Sequence, residues 1–335
     1  MPTDIISTFR PFIIPSIVSV AILTAVGVYL GPVALFTAGL LVALEVTLSF
    51  DNAVANARVL EKMSPKWQHR FLTWGIFSSV FITRVVLPIL IVAASVAVSP
   101  LTIASIALFD PEQYAHLLHE SHHIIASFGG MFLTMVGLKY FFDEQKEVHW
   151  IHHVERHFAR WGSIEAVEIA IALCVLMGIA FFAPEHAIGI FFAGIFAIVL
   201  FILMQGATSS LDISGKDVAG AGLASFLYLE VLDTSFSLDS VAGAFALSTS
   251  IPIIAAGLGI GAYFVRALTV YMVHNGTLSK LMYIEHGAHW AILGLAGAMF
   301  ASFFFDIPEP ITGLIGLLFV GGAYLSSIRT VPVRV

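Results

Sequence analysis

Glu45-Val46-Thr47-Leu48-Ser49-Phe50-Asp51-Asn52 and Glu230-Val231-Leu232-Asp233-Thr234-Ser235-Phe236-Ser237-Leu238-Asp239-Ser240 are the two stretches that decide the reading of this chain. Aligned on Asp51 and Asp239, they match Ser49 to Ser237, Asn52 to Ser240 and Glu45 to Asp233. Acid follows acid at the same spacing in both. Each stretch lies inside an apolar block long enough to cross a bilayer, about 20 residues. Ionisable groups there are costly, about 2.5–3.5 kcal/mol each at the centre of a membrane helix.

The rest of the chain fits that setting. Of 335 residues, 59% are hydrophobic and 11% charged, whereas soluble domains carry roughly a quarter charged residues. The net charge of −7 and the lack of a basic run point away from a nucleic-acid partner. A single cysteine, Cys174, excludes an intrachain disulfide. The first apolar block has no small-residue cleavage site after it and reads as a retained helix.

The expected fold is all-α: a polytopic bundle of about ten transmembrane helices, near 12–31, 33–57, 72–98, 123–142, 166–183, 187–205, 218–247, 251–273, 288–305 and 310–328. Arg10, Arg58, Lys62, Lys139, Lys146, Arg156, Lys216, Lys280 and Arg329 then fall on one side. The opposite loops hold Asp110, Glu112, Glu120, Glu185 and Glu309 but no Lys or Arg. The positive side faces the cytoplasm, which places both termini there; in a bacterial cell the membrane would be the inner one.

The two motifs belong to a longer repeat. Gly75 precedes Arg84 by the same distance as Gly257 precedes Arg266, in the span after each motif. Glu120, His122 and His123 before the fourth span match loosely Glu285, His286 and His289 before the ninth. The unit is three helices, with repeat one at about 33–142 and repeat two at about 218–305. Between them lie a His-containing loop, 143–165, and a helical hairpin, 166–205; a last helix covers 310–328. Equivalent helices lie five spans apart, so the repeats are expected to be inverted, as in many secondary transporters.

Glu45, Asp51, Glu230, Asp233 and Asp239 outnumber the two in-span cations, Arg84 and Arg266. Pairing with the arginines leaves three acids to be protonated, hydrated or bound to cations. Carboxylates with the Asn52 amide and the Ser49, Ser237 and Ser240 hydroxyls make an all-oxygen set suited to Mg²⁺, Ca²⁺ or Mn²⁺. Positions 45, 49 and 52 share a helix face, as do 230, 233, 237 and 240. Asp51 and Asp239 lie off those faces, so either the helices unwind or the site lies between several of them. The expected metal residues are Asp51, Asn52, Glu45, Asp239, Asp233, Glu230 and Ser240, with Arg84 and Arg266 compensating charge. Glu120, His122 and His123 mark an outer mouth, and Glu285, His286 and His289 an inner one. No Walker loop is present, so ion antiport is the expected driving force for export.

At these residues the chain resembles the TerC family of integral membrane proteins, named for tellurium resistance. Glu45-x-x-Leu-Ser-x-Asp51-Asn52 and Glu230-x-x-Asp233-x-x-Phe-Ser-x-Asp239-Ser240 look like that family's two motifs. The loop Phe142-Asp143-Glu144-Gln145-Lys146-Glu147-Val148-His149-Trp150 is similar to a longer subgroup catalogued as a domain of unknown function. The resemblance implies manganese efflux by a small exporter with inverted three-helix repeats. Its metal site would fall at Asp51, Asn52, Asp239 and neighbouring acids. The expected function is therefore a divalent-cation transporter with no catalytic residues and no resident cofactor, Mn²⁺ being cargo.

Two other classes compete. His119-Glu120-Ser121-His122-His123 matches the zinc-protease pattern His-Glu-x-x-His, which requires both histidines on one helix face. A non-transporting scaffold in metal or tellurite stress is the other, and it predicts that Asp51 and Asp239 are dispensable. His149, His152, His153 and His157 with Trp150 and Trp161 read as a helix lying on the membrane surface.

Overall fold

The computed structural model describes residues 5–144, 146–162, 164, 166–214, 218–248, 250–276, 280–305, 307 and 309–330. Some side chains within those stretches, that of Asp239 among them, lie outside the described residues. The described chain is all helix. In order it forms α1 Ile5–Leu30, α2 Pro32–Leu48, α3 Phe50–Glu61, α4 Pro65–Phe77, a π-helical segment Ser78–Val86 and α5 Leu87–Ser95. Next come α6 Pro100–Phe109, α7 Pro111–Glu120, α8 His122–Phe141, α9 His152–Trp161, α10 Val167–Phe182 and α11 Ala187–Ser214. The last are α12 Val218–Leu247, α13 Ile251–His274, α14 Ile284–Ala301 and α15 Glu309–Arg329.

Every one of the ten expected spans falls on helix. Among the described residues, five helices are long and apolar enough to cross a membrane, six if the bent pair α2–α3 counts as one span. The other four are α10 and α15, whose apolar runs are shorter, and α12 and α14, with polar groups in the middle of α12 and in the first two turns of α14. Large apolar side chains point outward, Phe109 at 86% exposure and Phe181 at 77%, while Glu45 and Asn52 are fully buried. This is the reverse of a water-soluble surface and fits a multi-pass protein in lipid.

Helix starts follow local chemistry. Gly31 adopts φ 92°, which turns the chain tightly between α1 and α2, and Pro32 then opens α2. The stretch between the third and fourth spans reads as an outer loop, yet it forms the hairpin α6–α7. Ser99 and Asp110 cap those helices by accepting backbone N–H groups of Thr102 and Gln113, each at 3.2 Å. Ile103, Ala107, Tyr114 and Leu118 bury their apolar face against Val92 and Ile125. With only ten residues, α6 is too short to cross the hydrocarbon core.

Packing exchanges partners between the halves. The first motif's helices α2 and α3 lie against α13, the arginine helix of the second half. The second motif's helix α12 lies against the π segment, which carries the arginine of the first half. Likewise α3 packs on α14 and α12 on α8, and α8 and α14 pack on each other. Gly261 makes one of these approaches: a Cβ there would stand 2.5 Å from Cβ and Cγ of Glu45. The absent side chain lets α13 lie directly over that acid.

Candidate metal-transport site

The first motif breaks at Ser49. Helices α2 and α3 meet there at 51°, whereas α12 runs through the second motif unbroken. At the break, Ser49 donates its hydroxyl to Glu45 Oε1 at 3.2 Å, and the Asn52 backbone N–H donates to Asp51 Oδ1 at 2.9 Å. Asp51 is thereby placed in the first turn of α3, where the positive end of the helix dipole favours a carboxylate. It is buried, facing Gly316 of α15, where a Cβ would lie 3.4 Å from Oδ2.

Around this break the buried polar residues form one connected network. Arg84 pairs with Glu45 and donates to the carbonyl and hydroxyl oxygens of Ser79 at 2.7 and 2.6 Å. Ser79 donates to Asp233 Oδ2 at 2.7 Å. Asn52 donates to Asp233 Oδ1 at 2.8 Å and accepts from Asn56 at 2.7 Å. Arg266 reaches Glu230 Oε1 at 3.0 Å and Asp233 Oδ2 at 3.3 Å, with its guanidinium 4.3 Å above the Phe71 ring. Asp233, 4% exposed, is thus bound from both halves.

Of the expected metal residues, Glu45, Asn52, Asp233 and Glu230 join this network, together with both arginines. Asp51 lies beside it. Ser240 is buried on α12, but its hydroxyl donates to the Ser237 carbonyl, 3.0 Å away on its own helix. The side chain of Asp239 lies outside the described residues. Among the described residues, no three His, Cys, Asp or Glu side chains are grouped to hold a metal ion. Glu45 Oε2, Glu230 Oε2 and Asn56 Oδ1 are nevertheless buried oxygens with no close hydrogen-bond donor among the described residues, the Ser78 hydroxyl being a further neighbour of Glu230. Such acceptors are rare in folded interiors and are suited to a cation.

Sequence reasoning missed Ser79, Asn56 and the pair Thr83–Thr234, whose hydroxyl oxygens lie 3.1 Å apart. Asn56 carried a signal, being one helical turn beyond Asn52. Ser79 carried none, because its reach depends on the π segment.

The two expected mouths differ. At one of them, Glu120 is exposed and lies 3.6 Å from His116 on its own helix. His122 lies 3.5 Å from the Ser302 hydroxyl, and His123 stacks on His186 at 4.3 Å. The helix breaks at Ser121, so His119 lies in the last turn of α7 while His123 belongs to α8. The continuous helix face that a zinc-protease motif needs is not formed.

At the other end every expected residue has a partner. Arg58 pairs with Glu285 at 3.0 Å. His289 Nδ1 lies 2.8 Å from the Glu285 carbonyl, and its ring stacks on Tyr140 at 3.6 Å. His286 meets a residue absent from the sequence reading, Glu155 of α9, at 2.7 Å. Glu155, 1% exposed, also accepts from Trp290 Nε1 at 2.9 Å and from the backbone N–H groups of Trp150 and Ile151 at 3.1 and 3.2 Å. Burial alone would raise its pKa. Hydrogen bonds from His286 and Trp290, with the charges of His286 and Lys146, outweigh burial and hold the carboxyl down to about 2.

An all-helical, membrane-type bundle with a charged network buried where its halves meet is the class this architecture defines. The chain belongs to the family described as "Protein of unknown function (DUF475)", which matches residues 50–332. No curated protein and no solved structure matches it.

Proposed function

We propose that this chain is a secondary transporter of divalent metal cations, with manganese efflux as the most specific reading. The observation that carries it is the charge and oxygen balance of the buried network. Glu45, Glu230 and Asp233 meet Arg84 and Arg266 within the network, Asp51 lies beside it, and the sequence adds a fifth acid in Asp239. If all five acids are ionised, the two guanidinium groups leave three negative charges, an excess that binding a divalent cation would reduce. Unpartnered oxygens of Glu45 and Glu230 offer it ligands. The TerC-like motifs favour Mn²⁺ among the hard cations.

In this reading the two halves are inverted repeats, and the arginines hold the acids while no cargo is bound. A cation entering the network takes over carboxylate oxygens from the guanidinium groups. Release to the other side returns the acids to the arginines. Asp233, held by Asn52 and Ser79 from one half and Arg266 from the other, changes partners whenever the halves move. Moving a divalent cation out against an inside-negative potential costs about 4.6 kcal/mol per 100 mV, twice the single-charge value. Proton or sodium antiport supplies that energy. The segregation of Lys and Arg to one set of loops supports cytoplasmic termini.

The test is Mn²⁺, Mg²⁺ and Ca²⁺ flux into proteoliposomes under an imposed proton gradient, beside Asp51→Asn and Asp233→Asn variants. Mn²⁺ flux in the wild type that is lost in both variants is the expected result. Folded wild-type protein that moves none of the three ions refutes the proposal and favours a scaffold.

A further inference from the structure

The segment Lys146–Gly162 lies across the end of the bundle at which Glu285, His286 and His289 stand, and it touches three helices. At the end of α8, Phe158 stacks against Phe142 at 5.4 Å, and the Lys146 ammonium lies 3.6 Å over the Tyr140 ring. On α14, Glu155 holds His286 and Trp290. On α15, Trp150 Nε1 donates to the Ser326 hydroxyl at 3.0 Å, and its ring covers Gly322. Helices α8 and α14 are the third members of the two halves, so the segment ties one half to the other.

Its placement is not that of a helix merely lying on lipid. The only acid of α9 is turned inward and buried, although an exposed position would leave it hydrated. Burying a carboxylate is costly unless its oxygens are satisfied. Here both oxygens are satisfied, partly by the backbone N–H groups of Trp150 and Ile151 just before α9 and partly by α14. The same side chain therefore shapes the segment and anchors it. Lys146 and His149, 3.7 and 3.9 Å from that carboxylate, add positive charge around it when protonated.

We propose that Lys146–Gly162 is a lock on the cytoplasmic end of the transport path, with Glu155 as its pin. The inference rests on the transporter reading. Alternating access requires the halves to move against each other, and the segment opposes that motion at one end only. It also occupies His286, while Arg58 and Tyr140 occupy Glu285 and His289. A cation leaving or entering between α3 and α14 at this end has to displace these contacts, so the present arrangement is closed to the cytoplasm.

Two measurements on the full chain test this. In a Cys174→Ser background, Trp150→Cys and Ser326→Cys place one thiol on the segment and one on α15, with the gap left by the indole between them. Joining this pair in proteoliposomes with a short bis-methanethiosulfonate cross-linker is expected to bring Mn²⁺ flux to background, and reduction to restore it. Flux unchanged by the cross-link overturns the lock while leaving the transporter standing. Absence of flux in reduced and wild-type protein removes both. Separately, Glu155→Ala is expected to speed amide exchange across 146–162 and the first turns of α14, with α2 and α13 unchanged. Unaltered exchange in those segments overturns the role of Glu155 whatever the flux shows.

Discussion

Replacing Asn52 by alanine removes the amide that joins the first half to Asp233. In the structure this amide donates to Asp233 Oδ1 at 2.8 Å and accepts from Asn56 at 2.7 Å, with no exposure to solvent. A hydrogen bond to a charged acceptor contributes about 1.5–3 kcal/mol, and the neutral Asn56 bond about 1 kcal/mol more. The truncation should therefore cost about 3 kcal/mol in total. At roughly 2 °C per kcal/mol for a large domain, the thermal midpoint of the purified protein should fall by about 6 °C. Stability alone does not prove the contact, so the decisive assay is a double-mutant cycle with Asp233→Ala. If the two side chains touch, the cycle gives a coupling energy of about 1.5–3 kcal/mol. Additivity within about 0.5 kcal/mol would refute the direct link and, with it, the claim that Asp233 is shared between the halves.

Two further outcomes follow from the buried charges. Arg84→Gln leaves Glu45 with only the Ser49 hydroxyl and should destabilise the protein by about 3–5 kcal/mol. Adding Glu45→Gln should recover most of that loss, as read by thermal unfolding, and failure to recover would mean Arg84 acts elsewhere. Glu155, held at about 2 against an ordinary 4.5, contributes stability above pH 4.5 and loses it as the pH falls towards 2. Lys146, which burial pulls down to about 8 against the pull of Glu155, stays charged throughout that window. The gap in thermal midpoint between wild type and Glu155→Gln should be present at pH 5 and shrink as the pH falls from 4.5 towards 2; a gap independent of acid over that range would show that the carboxylate is not held by its neighbours.

The helical bundle was legible because lipid demands it. Long apolar blocks admit few other structures, and the acids inside them stand out against such a background. That Arg84 and Arg266 would pair with buried acids was legible for the same reason, since a buried charge needs a partner, whereas the choice of Glu45 for Arg84 and of Glu230 and Asp233 for Arg266 was not. What the sequence hid were features set by backbone geometry or by contacts between distant segments. The break at Ser49 has no Gly or Pro to announce it. The α6–α7 hairpin is made of helices too short to cross a membrane. Glu155 reads as one acid among the histidines and arginines of a surface helix, and only its docking on His286 and Trp290 sets it apart.

The π-helical segment has a consequence of its own. Its wide turns hold one residue more than α-helical turns would, and Ser79 and Arg84 both lie within them. Such an extra residue can migrate along a helix by exchanging one carbonyl partner for the next. Each step rotates the side chains it passes by about 100°. Arg84 could then turn away from Glu45, and Ser79 from Asp233, while the ends of the α4–α5 rod stay where they are. The register of a single helix, rather than a hinge between rigid bodies, would decide which oxygens are free.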